Sequence, residues 1–151
     1  MRRVLALVLS LLLFVVPMSL TVSAAEPNKH VISTATEYLE NGDYVITTLY
    51  ESAVQPRAGK SGSKTATYYS SSDKKIFSVT VTGTFTYVYG SSVDATGASA
   101  SVAIYHPDAQ FVSKNAYTQF HTAVGEGTVN YRGDIATLTV TLSCDVYGGL
   151  H

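Results

Sequence analysis

His106, Asp108 and His121 are the side chains of this sequence best suited to acid–base chemistry or metal binding. A nucleophilic hydrolase needs a Ser or Cys activated by a histidine that a carboxylate holds in place. A zinc site needs several such ligands together, and Glu126 would complete that set. The chain has neither a G-x-S-x-G nor an H-E-x-x-H motif, and the spacing of these residues gives no reason for them to meet. We therefore predict polar turn and strand residues here, with no catalytic residue, metal or cofactor.

Tyrosine is the one residue type in clear excess, with eleven copies and no tryptophan in the chain. Aromatic rings stack on sugars and anchor protein interfaces. Tyr68 and Tyr69 are adjacent, so in a strand they point to opposite faces and at least one faces outward. Together with Tyr105 and Tyr117 they are the candidate ligand-facing residues, for a glycan, a cell-envelope component or a protein. The competing interpretation is an ordinary solvated sheet face.

The elements that would position these side chains are strands. In "IFSVTVTGTFTYVYG", large apolar residues alternate with Ser or Thr. This pattern predicts a long β-strand, here called the ribbon, with one buried and one solvent-exposed face. The predicted core side consists of Phe77, Val79, Val81, Phe85, Tyr87 and Tyr89. Similar alternation over 137–146 and, more weakly, over 98–104 predicts two further strands.

Turn signals separate the strands. Asn41-Gly42 predicts a hairpin with a type I′ turn between strands 34–40 and 43–51, although a short helix capped by Thr34 is an open alternative. The Gly-, Pro- and Lys-containing stretch 52–64 reads as a mobile connection. Gly125–Gly127 and Tyr131–Asp134 are interpreted as turns.

Seven or eight short strands without a convincing helix predict an all-β fold. We expect an immunoglobulin-like antiparallel β-sandwich, with a small barrel as the alternative. The sandwich would form a single domain over 26–151, preceded by a signal-peptide helix.

The first 25 residues have the order of a secretory signal peptide. Arg2 and Arg3 precede an apolar run, and small residues follow it up to Ala24 and Ala25. We expect cleavage after Ala25 or one residue earlier, and hence a secreted protein. An uncleaved N-terminal anchor is the alternative, and the uncleaved signal peptide would be the only membrane contact.

Loss of the signal peptide would change the formal charge of the chain. The full sequence carries −1, and removal of Arg2 and Arg3 leaves eight basic against eleven acidic residues, or −3. A nucleic-acid-binding surface needs clustered Lys and Arg, so we expect no nucleic-acid partner.

A single cysteine, Cys144, is unusual in an exported chain, because a lone thiol has no partner within its own molecule. Its place on the apolar face of the last predicted strand favours a buried, unreactive thiol over a reactive or intermolecular one.

Three stretches, "YLENGDYVITTLYE", "RAGKSGSKTATYYSSSDKKIFSVTVTGTFTY" and "TLTVTLSCDVYGGL", resemble a family of short uncharacterised secreted proteins of Gram-positive bacteria. Members read KTGSKTxTYYxxxGKxLWSVTVTGTFTY and end VTLTCSxxGxL. The usual Leu-Trp is Ile76-Phe77 here, and the cysteine after the ribbon is replaced near Val93–Ala95. The resemblance implies a disulfide of which only Cys144 remains, and it implies no activity, since the family has none assigned.

The sequence as a whole predicts a non-catalytic extracellular binding or surface-associated module. One alternative is a small secreted hydrolase that uses His106 and His121. Another is a secreted inhibitor or effector that presents the 52–64 loop to a partner enzyme.

Overall fold

The computed structural model describes residues 29–53 and 59–151, which form eight β-strands and no helix. The strands are β1 (Lys29–Tyr38), β2 (Tyr44–Ser52), β3 (Lys60–Tyr69), β4 (Lys75–Val88), β5 (Ser92–Ile104), β6 (Ala109–Gln119), β7 (Thr122–Tyr131) and β8 (Asp134–Ser143). The all-β prediction is confirmed. The segment before Asn41, for which a strand and a short helix were both open, is a strand. The predicted signal peptide, including Ala24 and Ala25, lies outside the described residues. Among those that are described, no helix is long and apolar enough to span a membrane.

Two antiparallel sheets stack face to face, which confirms the predicted β-sandwich. One sheet has the order β1-β2-β3-β4-β5 and the other β6-β7-β8, so every strand pairs with its neighbour in sequence. The segment Tyr105–Asp108, which contains Pro107, carries the chain from one sheet to the other. Immunoglobulin domains have Greek-key connections instead. Over the described strands the topology is therefore simpler than the immunoglobulin order, with two successive meanders.

The two sheets lie close together at the centre of β7. A Cβ atom added to Gly127 would lie 2.5 Å from Val79 Cγ2 and 2.7 Å from Val102 Cγ2. One added to Gly125 would lie 2.9 Å from Val81 Cβ. The interpretation of Gly125–Gly127 as a turn is thus wrong, because both glycines lie inside a buried strand. They are glycines because the valines of β4 and β5 occupy the space that a side chain would need.

The ribbon on β4 supplies the centre of the core. Phe77, Val79, Val81 and Phe85 are at most 1% exposed, as the alternation predicts. Tyr89 departs from it, with 76% of its surface exposed. The strand ends at Val88, so the Tyr89 ring lies beyond the sheet edge and packs against the ring of Tyr147 at 5.2 Å.

The hairpin predicted at Asn41-Gly42 is present with a different turn geometry. Only the glycine has positive φ (83°). Its N–H donates to the carbonyl of Leu39 at 3.0 Å, and the N–H of Leu39 donates to the carbonyl of Asp43 at 2.8 Å. This is a three-residue loop with glycine in the left-handed bulge position. A two-residue turn with positive φ at both central residues occurs instead at Arg132-Gly133 (57° and 97°).

Much of the predicted mobile connection 52–64 belongs to the sheet. β2 continues to Ser52, β3 begins at Lys60, and residues 54–58 lie outside the described part. A Cβ atom on Gly62 would lie 2.5 Å from Leu150 Cδ1 and 2.8 Å from the carbonyl oxygen of Tyr50. The small residues that suggested a loop therefore allow close packing beneath the C-terminal segment.

Asp43 joins two hairpins at one end of the five-stranded sheet. The Tyr68 hydroxyl and the Asn41 amide donate to Asp43 Oδ2, the latter at 2.9 Å, while the Ser71 N–H donates to Oδ1 at 2.7 Å. Burial acts to raise the pKa of Asp43, but the hydrogen bonds from Tyr68, Ser71 and Asn41 outweigh it, and the pKa is lowered. The ionised carboxylate thus holds the β1–β2 turn against the β3–β4 turn.

We expect Gly127→Ala to lower the free energy of unfolding by about 1–3 kcal/mol, because the added methyl group overpacks the contact with Val79 and Val102. Urea denaturation followed by circular dichroism measures the change. Adding Val79→Ala to Gly127→Ala should recover part of the loss, so the double-mutant cycle should show a favourable coupling. Additive losses would contradict the close approach of the sheets.

We expect acid to destabilise the protein partly through Asp43. Its pKa in the folded state lies below the unfolded value of about 3.9, so the stabilisation is complete above that value and is lost as the pH falls through the folded pKa. The urea midpoint of Asp43→Asn should therefore fall less between pH 7 and pH 3 than that of the wild type. Asp94→Asn, at an exposed carboxylate on β5, is the control and should keep the wild-type pH dependence. Equal pH dependence in Asp43→Asn and the wild type would refute this role.

Candidate functional site

The outer face of the five-stranded sheet carries a row of hydroxyl groups, one from each strand. The register places them side by side in the order Thr34, Thr48, Thr65, Thr80 and Ser101. The hydroxyl oxygens of Thr65 and Thr80 are 2.8 Å apart, and Thr34 donates to Thr48 at 3.5 Å. Neighbouring strands lie about 4.8 Å apart, so the row crosses about 19 Å of sheet.

A groove of about 590 Å³ runs over this face. Its volume is in the range of small-molecule sites. The lining consists of Lys29, Tyr50, Thr65, Thr67, Lys75, Ser78, Thr80, Ser101, Ala103 and Tyr105. Thr67 is 8% and Ser78 5% exposed, although no second sheet covers them. The polar floor is thus recessed below the side chains that surround it, which distinguishes it from a flat solvated sheet face.

Tyr105 forms one wall of the groove. Its hydroxyl lies 3.2 Å from the Ser78 hydroxyl, and the Lys75 ammonium lies 3.8 Å from its ring centroid. The hydrogen bond with Ser78 lowers the pKa of Tyr105, Lys75 lowers it further, and burial opposes both. About half of the Tyr105 surface remains exposed, so the side chain is held in place by Ser78 while part of it is open to a ligand.

Three more tyrosines lie in one row at the same end of this face. Tyr38, Tyr44 and Tyr69 are register partners on β1, β2 and β3, and the next partner on β4 is Lys75. The rings of Tyr44 and Tyr69 stack at 5.0 Å with an interplanar angle of 4°, and those of Tyr38 and Tyr44 lie 5.7 Å apart. The aromatic row therefore continues from the groove across the sheet.

The structure separates the four tyrosines that the sequence singled out. Tyr69 and Tyr105 lie on the grooved face. Tyr68 points inward, where its ring stacks on Phe77 at 5.6 Å. Tyr117 lies on β6 in the other sheet, opposite Val124 and on the face away from the core. Only two of the four candidates are therefore placed to serve one site.

His106 and His121 lie at opposite ends of β6, a strand of about 35 Å. His106 Nδ1 is 3.9 Å from Asp108 Oδ2, and that carboxylate also accepts a hydrogen bond from Arg132 Nε at 3.0 Å. The two imidazoles thus do not share a pocket. Within 29–53 and 59–151, no group of three or more His, Cys, Asp or Glu side chains is arranged to hold a metal ion.

Cys144 lines a cavity of about 310 Å³ near the C-terminus, together with Val93, His121 and His151. The thiol is free and fully buried, and burial followed by the nearby Asp145 raises its pKa. A protonated, buried thiol is a poor nucleophile, so the neighbouring imidazoles do not make this a site of thiol chemistry.

Sequence reasoning missed Lys29, Tyr50 and Lys75, which line the same groove as Tyr105. Each comes from a different strand, and only the register of the meander brings them to one groove. The signal that was present is the strict Ser/Thr alternation on β4, which marks the outer face of the sheet without indicating that this face is concave.

Comparison with known proteins adds no assignment: no family model, no curated protein and no solved structure matches this chain.

Proposed function

We propose that this protein is an exported, non-catalytic binding module whose outer-face groove holds a carbohydrate, with a glycan of the cell envelope as the first partner to test. The observation that carries the proposal is the recessed hydroxyl floor beside the half-exposed Tyr105 ring. Sugar hydroxyls pair with hydroxyl donors and acceptors, and the apolar face of a sugar ring stacks on an aromatic ring.

The residues that line the groove support binding over catalysis. Among the described residues, the groove is lined by hydroxyls, two lysines and two tyrosines, and by no carboxylate and no histidine. Glycoside hydrolysis by the common two-carboxylate mechanism needs a pair of acids across the sugar. A groove with this lining holds a saccharide without the groups that would cleave it.

Export and processing remain part of the proposal. The N-terminal segment predicts secretion with cleavage near Ala25, and the resemblance to short secreted proteins of Gram-positive bacteria agrees with that location.

We expect the protein to be retained on peptidoglycan in a pulldown and to give signals on a glycan array. Tyr105→Ala should weaken binding at least about tenfold, because the substitution removes the aromatic wall of the groove. Tyr147→Ala is the matched control. It removes another exposed tyrosine, near the opposite end of β4, and should leave binding unchanged. No retention on either support, or equal loss in both variants, would contradict the proposal.

A further inference from the structure

The groove has a charge opposite to that of the whole chain. Its lining, over the residues that the structure describes, contains Lys29 and Lys75 and no acidic residue, whereas the chain without its predicted signal peptide has a formal charge of −3. Two of the acidic residues form ion pairs outside the groove. Glu51 pairs with Lys60 on the inner side of the sheet, and Asp108 pairs with Arg132. The groove is therefore a local cationic site on an acidic protein.

Neither lysine of the groove has a carboxylate partner among the described residues. Lys75 lies over the Tyr105 ring, a contact that fixes the ammonium at the groove wall without neutralising it. The nearest acidic side chain of the adjacent turn, Asp73, accepts a hydrogen bond from the Tyr44 hydroxyl at 3.0 Å. An ammonium that is held in place and not paired is available to an anionic group of a ligand.

The two lysines lie far apart along the groove. Lys29 is in register with Ser52 and, through it, with the start of β3, while Lys75 is opposite Tyr69 at the end of β3. About eight residues of strand separate these rows, or about 26 Å between backbones. One small anion cannot contact both ammonium groups, whereas an extended polymer with repeated negative charges can.

From this we infer that the groove selects an anionic saccharide chain, whose carboxylates or phosphates meet Lys29 and Lys75 while its hydroxyls lie on the row formed by Thr65, Thr80 and Ser101. The inference rests on the proposed carbohydrate binding and adds the ligand's charge and its extended length. The hydroxyl floor supplies neutral hydrogen bonds, and the lysines at the two ends supply the preference for charge.

Calorimetric titration of the purified chain tests the inference with matched ligands. Polygalacturonate oligosaccharides carry carboxylates, their fully methyl-esterified forms present the same sugars without charge, and a polymer of sugar 1-phosphate units carries phosphates. We expect the carboxylate or the phosphate polymer to bind at least about tenfold more tightly than the esterified chain, and longer oligomers to bind more tightly than the monomer. Whichever charged polymer binds more tightly identifies the source of the anion.

Lys29→Gln and Lys75→Gln should each weaken binding of that polymer about two- to fivefold at low salt, and raised salt should reduce the difference. Lys114→Gln on the exposed strand β6 makes the same charge change outside the groove and should have no effect. Equal affinity for charged and esterified chains, or equal effects of Lys75→Gln and Lys114→Gln, would overturn the charge selection. If the charge selection fails but Tyr105→Ala still abolishes binding, the proposed carbohydrate binding stands. If no saccharide binds at all, the proposed function and the charge selection are both refuted.

Discussion

The backbone of β7 lies directly against the valine side chains of β4 and β5, and the rest of the structure depends on this close contact. Gly125 and Gly127 have no side chains to contribute, so the core at this level is built almost wholly from Val79, Val81 and Val102. Because these valines fill the interior, the intervening Ser and Thr residues of the same strands must face outward. The dense valine packing on the inner side of the five-stranded sheet therefore determines that Ser and Thr side chains lie on its outer side.

The meander topology places the outward-facing positions of adjacent strands side by side on one surface. Since each strand pairs with the next in sequence, the hydroxyl-bearing positions of five strands fall into one row, and the aromatic positions of β1 to β3 fall into another. The five-stranded sheet has no partner on its outer side among the described residues, so the hydroxyls of Thr65, Thr80 and Ser101 are open to a ligand. A site assembled in this way needs no loop insertion and no buried charge.

The sequence predicted the strands well and the surface only in part. Two-residue alternation marks the buried face of β4 through Phe77, Val79 and Val81, because burial on one side of a strand is a local property of the chain. Glycine was harder to interpret. Gly42 marks a turn, whereas Gly127 marks a contact with the other sheet, and the difference depends on neighbours that are remote in sequence. The groove depends on register between strands, and a single sequence leaves register unspecified. Tyr105 was therefore found by its residue type, while Lys29 and Tyr50 were not found.

A ligand titration followed residue by residue through backbone amide chemical shifts tests the central claim most directly, namely that the outer face of the five-stranded sheet is the binding surface. With the envelope glycan or charged polymer that binds, the account predicts shifts concentrated at Thr65, Thr80, Ser101 and Tyr105, with β6, β7 and β8 little changed. Shifts concentrated on the three-stranded sheet, or on the C-terminal cavity around Cys144, would contradict it.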